Sequence, residues 1–109
     1  MAPAKAIVLR SSGQLDVDEA IDFYRREAGQ ALAISFVDAL ERAYRLISEQ
    51  PGAGSSRYAH ALDLLGLRSW PLRDYPFVVF YFEQETHVEI WRVLHAARDI
   101  PASITDGGA

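Results

Sequence analysis

The sequence predicts an α+β fold: an N-terminal strand, an α-helical hairpin, and then a three-stranded antiparallel β meander. Three observations predict it. Val17, Ala20, Ile21, Tyr24 and Ala28 recur at helical spacing, and Leu32, Phe36, Leu40, Ala43 and Ile47 do so again beyond Gly29. Three β-rich runs, Leu67–Leu72, Phe77–Glu83 and Val88–His95, are joined by connections short enough for hairpins. At 109 residues there is room for one domain and one core, with an ordered part expected over residues 5–104.

The elements follow in order. Lys5–Arg10 is a short apolar strand, bounded by Ser11, Ser12 and Gly13, which read as chain breakers. Asp16 reads as the N-cap of the first helix, with Glu19 three residues on completing a capping box and Gly29 as its stop. Asp22 and Arg26 form an i,i+4 pair on its wet side. In the second helix Ala33, Val37, Tyr44 and Leu46 widen the apolar stripe to near half the circumference. The pairs Asp38–Arg42 and Glu41–Arg45 cover the remainder, and Pro51-Gly52 ends it. Pro51–Tyr58 reads as a turn-rich loop, and Thr105–Ala109 as a disordered tail.

Composition excludes several classes of function. Half the residues are hydrophobic, 11% are aromatic and 24% charged, a globular balance. Without cysteine there is no disulfide framework, thiolate metal site or cysteine nucleophile, which fits a reducing compartment. No run is long enough for a signal peptide or a membrane helix, so the expected location is the cytoplasm. A net charge of −4 argues against a polyanion as the main partner. His60, His87 and His95 show no metal-ligand spacing, and Gly52 and Gly54 lack the lysine and helix of a phosphate loop, so neither metal nor cofactor is expected.

Phe77–Phe82 is apolar without alternation, so both its faces should be covered, at the centre of the sheet. With both helices on one face, the other would need the tail beyond His95 or a second polypeptide. Trp70 on the neighbouring strand adds to that surplus, and a partner chain is the expected cover.

Particular residues of the second half carry a resemblance. Gly66-Leu67-Arg68-Ser69-Trp70-Pro71-Leu72, then Tyr75–Tyr81 (YPFVVFY), then Ile90–Ile100 (IWRVLHAARDI), resemble the ParE branch of the RelE/ParE toxin superfamily. The RVLHAARDI segment is the most specific part, and the likeness spans residues 5 to 104. It implies a toxin of a type II toxin–antitoxin pair that blocks DNA gyrase by protein–protein contact. It also implies a ParD-like antitoxin, with a ribbon-helix-helix N-terminal part that binds DNA and a C-terminal tail that wraps the toxin. DNA would then be met only through the antitoxin. Trp70, Tyr81, Phe36 and Tyr44 are the candidate antitoxin contacts.

RelE-branch relatives cleave mRNA on the ribosome, which sets an alternative. Metal-free cleavage needs a base for the 2′-OH, a cation for the phosphate and an acid for the leaving oxygen. Arg68, Arg73, Tyr81, Arg92, His95 and Arg98 are the available groups. Each has a plainer reading: Arg92 paired with a carboxylate such as Asp99, Arg98-Asp99 as a sheet-end pair or helix cap, His95 on a backbone carbonyl. Charge favours the ParE branch, because Gly66–His95 carries three arginines against four acidic residues. The acidity departs from the basic character of many toxins of this superfamily. A third reading is an antitoxin-binding module with weak or lost toxicity.

Overall fold

The computed structural model describes residues 3–100, and the predicted tail Thr105–Ala109 lies outside them. The elements are β1 (Ala6–Leu9), α1 (Ser11–Ala28), α2 (Gln30–Glu49), α3 (Arg57–Leu62), β2 (Leu67–Pro71), β3 (Phe77–Glu83) and β4 (His87–His95), with a 3₁₀ turn at Pro51–Ala53. The α+β architecture is the expected one. The sheet order is β1-β4-β3-β2. The meander is antiparallel, and β1 joins its far edge parallel to β4. Two ion pairs clip β1 there: Lys5 Nζ to Glu83 at 2.8 Å and Arg10 Nε to Glu89 at 2.7 Å.

The helix hairpin packs on one face. Phe36, Leu40 and Ile47 of α2 and Val17 and Ala20 of α1 meet Val79, Tyr81, Val88, Ile90 and Val93. Gly29 alone joins the helices, at φ 93°, a left-handed conformation that side-chain-bearing residues rarely adopt. Of the surface pairs expected on the hairpin, Asp22–Arg26 closes at 2.9 Å. Asp38–Arg42 and Glu41–Arg45 do not close, although i,i+4 spacing puts each acid and its arginine on the same side of α2.

The first helix begins five residues before the expected Asp16 cap. The reason is a bulge in β4. Phe80 pairs with Arg92 but Tyr81 pairs with Ile90, which leaves Trp91 as an extra residue and disturbs the ladder. The first turns of α1 lie directly on this irregularity. Ser12 Oγ donates to the Trp91 carbonyl at 2.8 Å. A Cβ on Gly13 would stand 2.9 Å from the Ile90 carbonyl oxygen, so only glycine permits this approach. Asp16, far from capping, accepts the Val93 N–H at 2.9 Å and a bidentate pair from Arg92 at 2.7 and 3.1 Å. Ser11-Ser12-Gly13 thus starts a helix where local preference reads a break.

The second face is covered in large part by the chain itself, with Val78, Phe82 and Trp91 left partly exposed. The segment read as a loop runs into α3, whose Tyr58, Ala59 and Leu62, with Leu64 and Ile100, pack on Leu67, Phe80 and Leu94. Phe80 is 2% exposed and Leu67 not at all. Trp70 and Tyr81 are not on this face: they pair with Val79 and Arg68 across β2 and β3 and look toward the helices.

The bulge contacts should dominate stability. Asp16→Ala is expected to cost about 2–4 kcal/mol, since it strands the Arg92 guanidinium and the Val93 N–H in a half-buried site. Gly13→Ala should lose about 1–3 kcal/mol although alanine is the better helix former, because a backbone carbonyl blocks the methyl. Urea unfolding of both variants checks this; a Gly13→Ala variant more stable than the parent would contradict the close approach.

Candidate functional site

The six residues considered for mRNA cleavage do not converge. Arg68 on β2 donates to the Gly54 carbonyl at 2.8 Å and holds the 51–56 segment against the sheet. Tyr81 on β3 is fully buried and donates to the Pro51 carbonyl at 2.6 Å. Arg92 is engaged by Asp16, not by the expected Asp99. His95 ends β4, and its Nδ1 accepts backbone N–H groups from Ala97 and Arg98 at 3.2 and 3.1 Å, the reverse of the expected bond to a carbonyl. Arg98 pairs with Asp99 at 3.0 Å, as the sheet-end reading expects. Arg73 stands alone on the β2–β3 turn, exposed.

His95, Arg98 and Asp99 come together beside Arg92 and Asp16, while Arg68 and Tyr81 stand opposite each other across β2 and β3. Burial works against the Asp99 carboxylate, but the Arg98 guanidinium and the His95 N–H outweigh it and hold its pKa below the ordinary value. The cleft between this corner and α1 has a volume of about 50 Å³ and is lined by Asp16, Glu19 and Asp99 as well as Arg98. That is space for one or two waters, walled by carboxylates that repel phosphate. Among the described residues no cluster of His, Cys, Asp and Glu is placed to hold a metal.

The four candidate antitoxin contacts divide. Phe36 and Tyr81 are 0% exposed, which corrects their selection: an accessible partner cannot reach them. Phe36 lies in an aromatic cluster with Tyr24, Tyr75 and Phe77, ring centroids 5.1 to 5.4 Å away. Tyr44 is half-buried, and among the described residues its buried hydroxyl has no hydrogen-bond partner; burial pushes its pKa up to about 12. Trp70 is half-exposed and stands on a surface groove.

Two grooves flank α2. One, of about 460 Å³, runs between α1 and α2 over Ile21, Ala33, Ile34 and Val37, with Arg25, Asp38 and Glu41 on its rim. The other, of about 240 Å³, lies between α2 and β2 over Ala39, Ala43, Leu46 and Trp70, with Arg42 and Arg73 on its rim. Ile34 and Leu46 remain 55% and 49% exposed, so α2 presents more apolar surface than its own sheet covers. The sequence carried this signal in a stripe wider than one contact face needs. Among the described residues no helix is long and apolar enough to cross a membrane.

A helix hairpin packed on a β1-β4-β3-β2 sheet, with apolar grooves on either side of α2, is the frame in which these residues stand. Its sequence matches the family model described as "ParE toxin of type II toxin-antitoxin system, parDE" over residues 7–100. The chain belongs to this ParE toxin family, and its partner class is therefore an antitoxin. Among solved structures, a chain of the "Chromosomal ParDE TA system from P. aeruginosa" is similar in fold, with a TM-score of 0.71 and 18% identity over 84% of this chain and 96% of that one. Among proteins of curated function, none matches this sequence.

The two buried tyrosine hydroxyls give opposite predictions. Tyr81→Phe removes the bond to Pro51 and should cost about 1–2 kcal/mol, whereas Tyr44→Phe removes an unmet hydroxyl and should be neutral or stabilising by up to about 1 kcal/mol. Burial raises the pKa of Tyr24, Tyr44 and Tyr81. The unfolded chain therefore loses these protons first, from about pH 10. Stability should be intact below that pH and fall as pH rises toward the folded value of about 12 for Tyr44. Melting curves between these limits check the sign, and Tyr44→Phe should flatten the decline.

Proposed function

We propose that the chain is a cytoplasmic toxin that stabilises the gyrase–DNA cleavage complex by protein–protein contact, without catalysis of its own. Its antitoxin joins a ribbon-helix-helix N-terminal part to a C-terminal tail that wraps the toxin, so operator DNA is met only through that partner. One observation carries the non-catalytic reading: five of the six groups suited to RNA cleavage are already bonded into the scaffold. A general base and a phosphate-binding cation must be free to engage substrate in the same place. Here the guanidinium groups of β2, β4 and the β4 end serve loop, bulge and corner. The grooves beside α2 supply instead the apolar, arginine-rimmed surface that protein contacts use.

The test is direct. Purified chain, freed of antitoxin, should inhibit gyrase supercoiling and accumulate cleaved DNA, and adding the antitoxin should reverse both. Gyrase undisturbed by excess toxin would overturn the proposal. Cleavage of ribosome-bound mRNA, abolished by His95→Ala, would replace it with the RelE-like reading; silence in both assays, with antitoxin still bound, would leave a binding module whose toxicity is lost.

A further inference from the structure

We propose that two copies of this chain associate through the corner formed by α3 and the loop into β2, each inserting Leu65 into an apolar pocket of the other. This goes beyond the gyrase reading and does not depend on it.

Leu65 is 98% exposed, against 59% for Leu15, the next among the described large apolar side chains. A single exposed leucine is ordinary, but this one is held out by its backbone. Asp63 at φ 53° and Gly66 at φ 86° bracket Leu64-Leu65 with two left-handed residues. The Leu64 N–H donates to the Ala59 carbonyl at 3.0 Å, and the Leu64 carbonyl accepts the Leu67 N–H at 3.1 Å. Leu64 is thereby turned onto Leu67 and Phe80, and Leu65 to water. Side-chain-bearing residues are uncommon in the left-handed region, and such conformations gather at functional segments. The loop is a fixed mount for one apolar side chain, with little freedom left to lose on contact.

The matching socket lies beside it. A pocket of about 210 Å³ opens between α3 and the start of β2, over Ala59, Leu65, Gly66 and Leu67. An apolar cavity of about 150 Å³ takes up a benzene-sized group, so a leucine side chain fits here. His60 and Arg68 are its ionisable lining residues, and none is acidic. Arg57, next to Ser56 of the pocket wall, is exposed, and so is Asp63, two residues before Leu65. Among the described residues neither forms an ion pair. A cation thus stands by the socket and an acid by the projecting leucine. Protrusion, socket and opposite charges belong to one surface, as a two-fold contact requires. Because Leu65 also walls its own pocket, two-fold pairing sets the two leucines against each other and each Asp63 toward the Arg57 of the other copy. An added strand is not the occupant, since Ser69 of the β2 edge already exchanges both its outward bonds with Ser55, each at 2.9 Å. The corner lies across the sheet from the hairpin, so pairing leaves both α2 grooves open.

The experiment is sedimentation equilibrium of the full chain, freed of antitoxin. A contact confined to one corner is below the standard interface size and therefore weak, so loading concentrations run from about 1 μM to about 500 μM. The mass should rise over this range from 12.2 kDa toward twice that value. Leu65→Asp should raise the dissociation constant by about tenfold or more, with the melting temperature unchanged because the side chain touches no core. Arg57→Gln and Asp63→Asn, the latter keeping a residue that tolerates the left-handed conformation, should each weaken pairing. The double variant should be no weaker than the weaker single, the mark of one shared ion pair. The chain has no cysteine, so Leu65→Cys should give a disulfide-linked dimer on mild oxidation, well ahead of Leu15→Cys on α1.

A mass that stays at the monomer value throughout overturns the proposal. So does a dimer that Leu65→Asp leaves within twofold of the parent, which would place the contact elsewhere. A monomeric chain whose gyrase inhibition or antitoxin binding is lost in Leu65→Asp would assign the leucine to that partner and overturn pairing, while leaving the toxin reading intact.

Discussion

The fold depends on how the bulge in β4 is filled. An extra residue at Trp91 leaves backbone groups without ladder partners, at the point where the sheet must also receive a helix. Buried backbone groups are costly to leave unmet. Ser12, Gly13 and Asp16 resolve both needs: a hydroxyl takes one carbonyl, a missing side chain lets the helix descend, and a carboxylate takes the Val93 N–H with the Arg92 guanidinium. With α1 fixed there, Gly29 turns the chain into α2. The position of α2 in turn defines both grooves. A bulge on one strand thus sets the surface offered on the opposite side of the hairpin.

The second constraint is closure of the core. The apolar central strand demands cover on both faces, and the demand is met in large part by α3, Leu64 and Ile100. The antitoxin is therefore not needed to complete the core. What is left for a partner is surface: half-exposed Trp70, Leu46 and Ile34 beside α2. Such residues cost little to leave in water singly and become favourable contacts when covered together.

Much of the fold was legible because it follows from local periodicity. The bounds of β3 and the existence of the helix hairpin could be read directly, since alternation, its absence, and a spacing of three and four residues are properties of short windows. What could not be read depends on distant partners. Ser11-Ser12-Gly13 is a breaker by propensity and a helix start only because Ile90 and Trp91 lie beneath it. Asp16 has every local mark of an N-cap, and its true role is set by residues more than seventy positions away. The six residues of α3 give too short a window to separate a helix from a loop. Phe36 and Tyr81 illustrate the same limit at the site: residue type marks a good contact, but only the packing says whether it faces a partner or the core.

The placing of the guanidinium groups connects these points. Arg68, Arg92 and Arg98 already have acceptors within the chain, so a new anion must compete with bonds that exist. Where Arg92 and Arg98 lie, Asp16, Glu19 and Asp99 also surround the site. Arg42 and Arg73 meet no carboxylate among the described residues and give up only water when a partner arrives. The outer flank of α2 thus combines guanidinium groups free of carboxylates among the described residues with exposed apolar side chains. Because the core beneath is closed by the chain's own residues, a polypeptide bound there adds to a finished fold.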